Sequence, residues 1–308
     1  MIELALTAGP LFALWLAAAM LVRAGFWPSL LLTIPAGAFL LRLFLIQHDC
    51  GHGSFFRNRG VNTWAGRLLG VFTLTPYDDW RHSHALHHAG TGNLDRRGFG
   101  DIDTLTLEEY RSRSAGRRCL YRLYRNPVVL FGIGPAFQFL VRHRVPAAAA
   151  RRGWRPWLGV MANNCAVVAL FGGLILSVGL VPFLAVQLPV TLVAATAGIW
   201  LFYVQHQFPG TTWRRADRWS YREAALHGSS FYDLPPVARW FTANIGIHHV
   251  HHLCSTIPFY RLNRVLRAFP ELTSLGRLGI GESFGTVRLT LWDEANERMI
   301  SFRDARAI

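Results

Sequence analysis

Nine of the 13 histidines fall into three short runs: His48-Asp-Cys-Gly-His52, His84-Ala-Leu-His87-His88 and His248-His249-Val-His251-His252. The first reads H-x-x-x-H, and the other two contain H-x-x-H-H. Neutral imidazole is the commonest metal ligand near physiological pH and suits iron, copper and zinc. On a helix, residues i, i+3 and i+4 share one face, so each run is expected to aim two or three ring nitrogens at one point. Three such runs offer more ligands than a single tetrahedral zinc uses. The expectation is therefore a site with more than one metal ion, and the spacing leaves the metal open. No suitable Glu-x-x-His pair accompanies the runs, which separates them from carboxylate-rich di-iron bundles.

The elements that must hold these residues are apolar. The chain has 308 residues, 51% hydrophobic and 16% charged, more apolar than an ordinary soluble domain. The excess lies in four stretches, 4–22, 26–46, 158–178 and 180–203, each near the ~20 residues that cross a bilayer as a helix. The predicted fold is an all-α integral-membrane domain over 1–308, with about four transmembrane helices. Regions 48–156 and 204–308 would form a cytoplasmic helical cap holding a His-rich di-metal site. The first stretch begins Met1-Ile-Glu3 without a basic leader, so a membrane anchor is expected rather than a signal peptide. Arg42, inside the second stretch, is expected to snorkel to the interface.

Formal net charge is +14, and all 32 basic residues are Arg. A balance this basic could suggest nucleic acid, but its distribution points elsewhere. Seventeen Arg lie between 48 and 156 and thirteen after 204, leaving only Arg23 and Arg42. Positive charge marks the cytoplasmic side of membrane proteins, so both polar regions and the N-terminus are expected there, against anionic headgroups. The two turns, near Ala24-Gly25 and at Gly179, would face the other side. Cys50, Cys119, Cys165 and Cys254 form no C-x-x-C and are expected as free thiols. No internal repeat or low-complexity linker is seen; Ala147–Ala150 is only a short run.

This topology puts every run at one membrane face. Gln47-His48 and Gln205-His206 end the second and fourth spans alike, so His206 is expected at the level of His48. Leu68–Pro76 and Val128–Val141 are too short to span. Gly132, Gly134 and Pro135 weaken a helical reading of the latter. Trp27, Trp154, Trp157, Trp200 and Tyr203 are expected to form an interfacial aromatic belt.

With these residues placed, the chain resembles the integral-membrane fatty acid desaturases. The likeness is carried by His48-Asp-Cys-Gly-His52-Gly-Ser-Phe and Trp80-Arg-His82-Ser-His84-Ala-Leu-His87-His88. It continues through Gly92-Asn-Leu-Asp95-Arg-Arg-Gly and Phe202-Tyr-Val-Gln-His206 to Asn244-Ile-Gly-Ile-His248-His-Val-His251-His252. The order of the three histidine boxes is specific to that family and its hydroxylase relatives, and the surrounding residues are closer to the acyl-lipid, omega-type branch. The resemblance implies an O2-dependent non-haem di-iron enzyme that desaturates a long acyl chain at the membrane. It implies two Fe ions, O2 as co-substrate, and His48, His52, His84, His87, His88, His206, His248, His251 and His252 as ligands. The protein would position the iron, exclude water and aim one C–H bond.

The other histidines are expected elsewhere. His82 and His249 sit at variable positions of the motifs and are expected to support ligands or meet solvent. His227 stands where related sequences often carry Glu and could support a ligand, pass electrons or be merely structural. His143 is expected at the membrane interface. Asp49, Asp95 and Asn244 could hold ligand imidazoles through their second nitrogens.

One alternative is a lipid or carotenoid hydroxylase or ketolase with the same centre, distinguished by oxygen retained in the product. Another is a membrane metal-binding or transport protein. Transporters place ligands near the bilayer midplane, whereas these spans are nearly free of ionisable groups. No stretch resembles a fused redox domain, so a separate electron donor, ferredoxin or another small redox protein, is expected. The Arg cluster at 111–125 suits an acidic partner. The expected location is multi-pass in a bacterial inner membrane, active site on the cytoplasmic side, with no nucleic acid partner.

Overall fold

The computed structural model describes residues 1–98, 100–146 and 153–308; the Ala147–Ala150 run lies outside them. Among the described residues the chain is mostly helical and divides into two compact units. The first comprises Met1–His82, Gly134–Ile199 and Phe241–Ala243; the second comprises Ser83–Ile133, Trp200–Trp240 and Asn244–Ile308.

Four helices are long and apolar enough to cross a membrane: Ile2–Arg23, Trp27–Gly51, Arg155–Val178 and Leu180–His206. In chain order the helices are α1 (Ile2–Arg23), α2 (Thr33–Gly51, entered through a 3-10 turn at Trp27–Leu32), α3 (Arg59–Phe72) and α4 (Tyr77–Gly90). They continue with α5 (Leu107–Ser112), α6 (Ala115–Tyr124), α7 (Gly134–Leu140), α8 (Arg155–Val178) and α9 (Leu180–His206). Two of them run past the apolar stretches into the histidine motifs. Helical hydrogen bonding is indifferent to side-chain polarity, so α2 continues through His48 to Gly51 and α9 through His206.

In the first unit, α1 packs on α2 and α8, and α3 packs on α2 and α8. Gly37 admits Val193 so closely that a Cβ there would sit 2.6 Å from the Val193 side chain. That contact sets the approach of α2 to α9. Trp15 Nε1 donates to Gln187 Oε1 at 3.0 Å, an apolar ring with its one polar atom satisfied.

Arg42 does not snorkel. It is 1% exposed, its guanidinium meets the Glu3 carboxylate, and its Nε donates to Thr7 Oγ1 at 3.1 Å. A buried charge that finds a counter-ion and hydrogen bonds has no need to reach water. The pair also sets the start of α1 beside the middle of α2, six residues before His48.

Asn58 caps α3 by accepting from Val61 N at 3.1 Å. The glycine-bearing stretch 128–141 is helical after all: a wide π-type turn over Val129–Ile133 leads into α7. The path is continuous from the π-type turn through Pro135 to Leu140. His143 lies on a short turn, Arg142–Arg144, tied back to Leu74. Its Nδ1 donates to Leu74 O at 3.3 Å and its Nε2 meets Gln138 at 2.9 Å. Burial, with the Arg144 guanidinium beside it, pushes His143 down to about 4.

The second unit adds α10 (Tyr221–His227), α11 (Pro236–Phe241), α12 (His248–Leu253), α13 (Phe259–Ala268) and α14 (Ile280–Thr286). Two small sheets brace them. Strand β1 (Leu105–Thr106) runs parallel to β4 (Leu291–Asp293), which pairs antiparallel with β5 (Arg298–Ile300); β2 (Phe231–Tyr232) runs parallel to β3 (Arg277–Leu278). Leu105, Tyr110, Tyr121, Leu291 and Ile300 form one core.

Arg125 ends the docking expectation for its part of the 111–125 cluster. It is 3% exposed and donates to Asp103 O, Leu289 O, Gln207 Oε1 and Tyr203 Oη at 2.8 to 3.3 Å. Its five donors fit a polar interior that lysine could not serve. Tyr203 likewise leaves the aromatic belt: it is buried, bonded to Arg125, and donates to Thr286 O at 2.9 Å. Trp27, Trp154 and Trp157 are exposed, as a belt requires; Trp200 is partly buried and donates to Tyr232 Oη at 3.4 Å.

Candidate metal centre

In the second unit, α4, the end of α9 and α12 bring seven imidazoles together in two groups. His87, His206, His248 and His252 are all buried, and their ligand atoms lie within 4.8 Å of one another. His248 Nε2 is 3.0 Å from His206 Nε2 and 3.0 Å from His252 Nε2. In the other group, His88 Nε2 is 3.1 Å from His84 Nε2 and 3.2 Å from His251 Nε2.

Each H-x-x-H-H motif is therefore split. On α4, His84 and His88 go to one group and the adjacent His87 to the other; on α12, His248 and His252 go together and His251 departs. The expectation that each run aims at one point gives way here. Residues four apart stay on one face of a helix, whereas sequence neighbours diverge by about 100°. The doubled histidine serves two sites from one turn.

The spacings fit a metal ion in each group. Two nitrogens that each lie about 2.1 Å from an ion, at right angles, are about 3 Å apart. Without an ion, facing ring nitrogens would need alternating protons. His87 Nε2 is buried and meets no protein partner, while its Nδ1 meets the Asp101 carboxylate. That carboxylate–imidazole contact fixes the tautomer that leaves Nε2 bare. His206 Nδ1 donates to Gly228 O at 3.3 Å, with the same result. Burial, then the neighbouring imidazoles, hold His252 well below the ordinary histidine value. A neutral ring is the form that binds metal.

Local structure explains the placement. A Cβ on Gly246 would lie 2.4 Å from Tyr232 O, so glycine lets the chain pass against β2 into α12. His248 N donates to Ser230 O at 3.2 Å. Tyr221 Oη donates to His252 O from α10, and α10 packs directly on α12.

In the first unit, His48 and His52 lie on and just past the end of α2, with ring centroids 4.7 Å apart. His48 Nδ1 is 3.2 Å from Asp49 Oδ1, as expected for Asp49. Gly51 is demanded by packing: a Cβ would meet the Trp80 ring at 2.8 Å. The same ring flanks His48 at 5.8 Å.

Asp95 and Asn244 do not hold imidazoles. Asp95 accepts from Arg215 and from Ala216 N, at 2.8 and 2.9 Å, on the surface. Asn244 takes a left-handed backbone, φ 54°. It donates to Phe259 O at 3.2 Å and accepts from Asn263 at 2.8 Å, shaping the turn ahead of α12. His249 is 0% exposed and belongs to neither group; it faces Phe231, and burial pushes it down to about 4. His227 is partly exposed, 3.8 Å from Glu223 on its own helix. His82 lines a cavity bounded by α3 and α8. Sequence reasoning missed Asp101 and the Gly228 carbonyl, because neither has a fixed spacing to the motif it serves.

A family model described as fatty acid desaturase matches residues 25–280. The chain is 42% identical over 308 residues to the fatty acid desaturase of Bacillus subtilis, covering 100% of this chain and 87% of that protein. It is 28% identical over 254 residues to the sn-1 acyl-lipid omega-3 desaturase (ferredoxin) of Synechocystis, covering 77% and 66%. It is 29% identical over 238 residues to the sn-1 oleoyl-lipid 12-desaturase of the same organism, covering 77% and 67%.

Proposed function

Because the chain belongs to the fatty acid desaturase family, we propose that it introduces a double bond into a long acyl chain at a membrane, using two iron ions and O2. The observation that carries this reading is the buried quartet His87, His206, His248 and His252 beside the trio His84, His88 and His251. Nine histidines, these seven with His48 and His52, would hold the metals. Bound iron would supply the oxidising equivalents, with O2, to break two C–H bonds.

In that reaction a –CH2–CH2– unit gives up two hydrogens with two electrons. O2 accepts these, plus two electrons and two protons from outside, and leaves as two waters. The chain's own part is positional. Asp101 and the Gly228 carbonyl keep the His87 and His206 rings with Nε2 bare, and Phe202 closes over both rings at 5.1 and 5.2 Å. Such apolar cover excludes water from the reacting centre. The two outside electrons come from a separate small redox protein; the word ferredoxin in a relative's name supports that class. Exposed Arg113, Arg117 and Arg122 around α6 offer an acidic donor complementary charge.

The location that fits is a multi-pass one, with the histidines on the cytoplasmic side. Expression in a host of simple lipid composition, with double bonds mapped in each lipid class, tests the reading. New unsaturation that disappears in His252→Ala supports it. Saturated lipids in the presence of iron and donor, or oxygen retained in the product, overturn it.

A further inference from the structure

The second unit carries two basic faces, and they are not equivalent. Around α6, Arg122 already donates to Tyr110 Oη at 2.6 Å and Arg111 to Ala305 O at 3.2 Å, and Glu108 and Glu109 stand just ahead on α5. Along α13, Arg261, Arg264 and Arg267 are exposed, and none of the three has a carboxylate partner among the described residues. Asp233, the last acid before α13, is held by Arg239 and Arg277 at 2.6 and 2.7 Å. No Asp or Glu stands between it and Glu271.

Helical geometry explains the exposure. At about 100° per residue, Tyr260, Arg264 and Arg267 fall within about 60° of one another, with Arg261 about 60° further round. The opposite side carries Phe259, Leu262 and Leu266, all buried. That apolar side is covered by the protein itself: α13 packs on α12, and Asn263 Nδ2 donates to Asn244 Oδ1 at 2.8 Å in the turn that leads into α12. A helix lying on a membrane keeps its apolar side for lipid, so α13 is not built for a bilayer surface. Its outer face instead joins arginine to exposed aromatic rings, Tyr260 at 41% and Phe269 at 53%, a combination enriched at protein interfaces. Beneath it, α12 carries His248, His251 and His252. Only one helix, about 10–12 Å across with its side chains, separates this face from those proposed ligands.

We propose that the outer face of α13 is where the electron donor docks: an acidic one-electron redox protein whose carboxylates meet Arg261, Arg264 and Arg267 around Tyr260 and Phe269. This rests on the reading above that two electrons arrive from a separate protein, and it names where they enter. Each reduced donor gives up one electron and leaves oxidised, so two dock in turn for every double bond. The arginines around α6 attract the donor at longer range, while α13 holds it.

The full chain in phosphatidylcholine nanodiscs, with an acidic two-iron ferredoxin as the probe, tests this by binding rates. Arg261→Glu, Arg264→Glu and Arg267→Glu together should raise the dissociation rate about tenfold, the combined effect of three exposed ion pairs, with thermal midpoint and iron content unchanged. Lys at the same three positions should recover most of the loss, and Phe269→Ser should raise the dissociation rate severalfold on its own. Arg113→Glu with Arg117→Glu should slow association at low salt and leave dissociation unaltered. Ferredoxin should also slow hydrogen exchange along α13. Binding through α13 without any new double bond keeps this proposal and counts against the functional reading. An unchanged dissociation rate after the α13 reversal, no binding of ferredoxin by the unaltered chain, or slowed exchange along α13 with phosphatidylglycerol in place of ferredoxin, overturns it.

Discussion

Asp101 is the most exposed test of the proposed metal centre, because nothing in the three motifs points to it. Its carboxylate meets His87 Nδ1, and the two side chains are 11% and 2% exposed. Losing such a support for a ligand imidazole typically costs 10–100-fold in metal affinity or activity. The two obvious substitutions divide that range. Asp101→Asn keeps an acceptor for the Nδ1–H but removes the charge, so about tenfold weaker iron binding is expected, or about 1.4 kcal/mol. Asp101→Ala removes both, frees the ring to turn or change tautomer, and should approach a hundredfold, about 2.7 kcal/mol. Competition against a graded series of chelators measures the affinity, elemental analysis gives the stoichiometry, and product formation is followed in parallel. Asp95→Asn is the control, since that carboxylate serves Arg215 at the surface; its iron affinity should match the unaltered chain. Asp101→Ala holding iron within twofold of the unaltered chain would refute the argument that this carboxylate sets the His87 tautomer.

Three further outcomes follow from features already described. His249→Gln should retain the full iron complement, whereas His248→Gln should lose metal, because His248 stands in the buried quartet and His249 faces Phe231; elemental analysis of the two proteins decides it. Glu3→Gln should lower stability by about 1.5–3 kcal/mol, the range for a hydrogen bond to a charged group, read as a drop in thermal midpoint in detergent and partly recovered by adding Arg42→Met. His143 gives a pH signature. Its folded pKa is pushed down to about 4, below an unfolded value of about 6.5, so the unfolded chain binds the extra proton. Stability from its neutral burial is full above about 6.5 and is lost as pH falls from there toward 4. His143→Gln should flatten that part of the midpoint-versus-pH curve.

Much of the frame is legible in the sequence because two length scales are imposed from outside. A bilayer demands about 20 apolar residues per helix, and the four stretches declare themselves. Metal ligation demands imidazoles one helical turn apart, and the motifs declare that too. What stays hidden depends on side chains distant in sequence. The division of each doubled histidine between two groups follows from where α9 delivers His206 and where α12 meets α4, which no local spacing encodes. Arg42 read alone had to reach water; Glu3, 39 residues earlier, lets it stay inside. Arg125 looked like one more surface cation in a basic run until the carbonyls of Asp103 and Leu289 closed around it. Strands of two or three residues carry no periodicity to read, so β1 to β5 had no signal.

The Glu3–Arg42 contact bears on how the chain reaches its membrane. An arginine at the centre of a lone helix costs about 2.5–3.5 kcal/mol to insert, enough to delay partition of α2 by itself. Its counter-ion lies on the preceding helix, at the end made first. If both helices span the bilayer, the contact implies an order of assembly: α1 would wait, already synthesised, for α2 to arrive, and the two would enter as a hairpin. A cut or a long insertion in the turn at Ala24-Gly25 would then impair membrane integration itself, well before any histidine is asked to hold a metal.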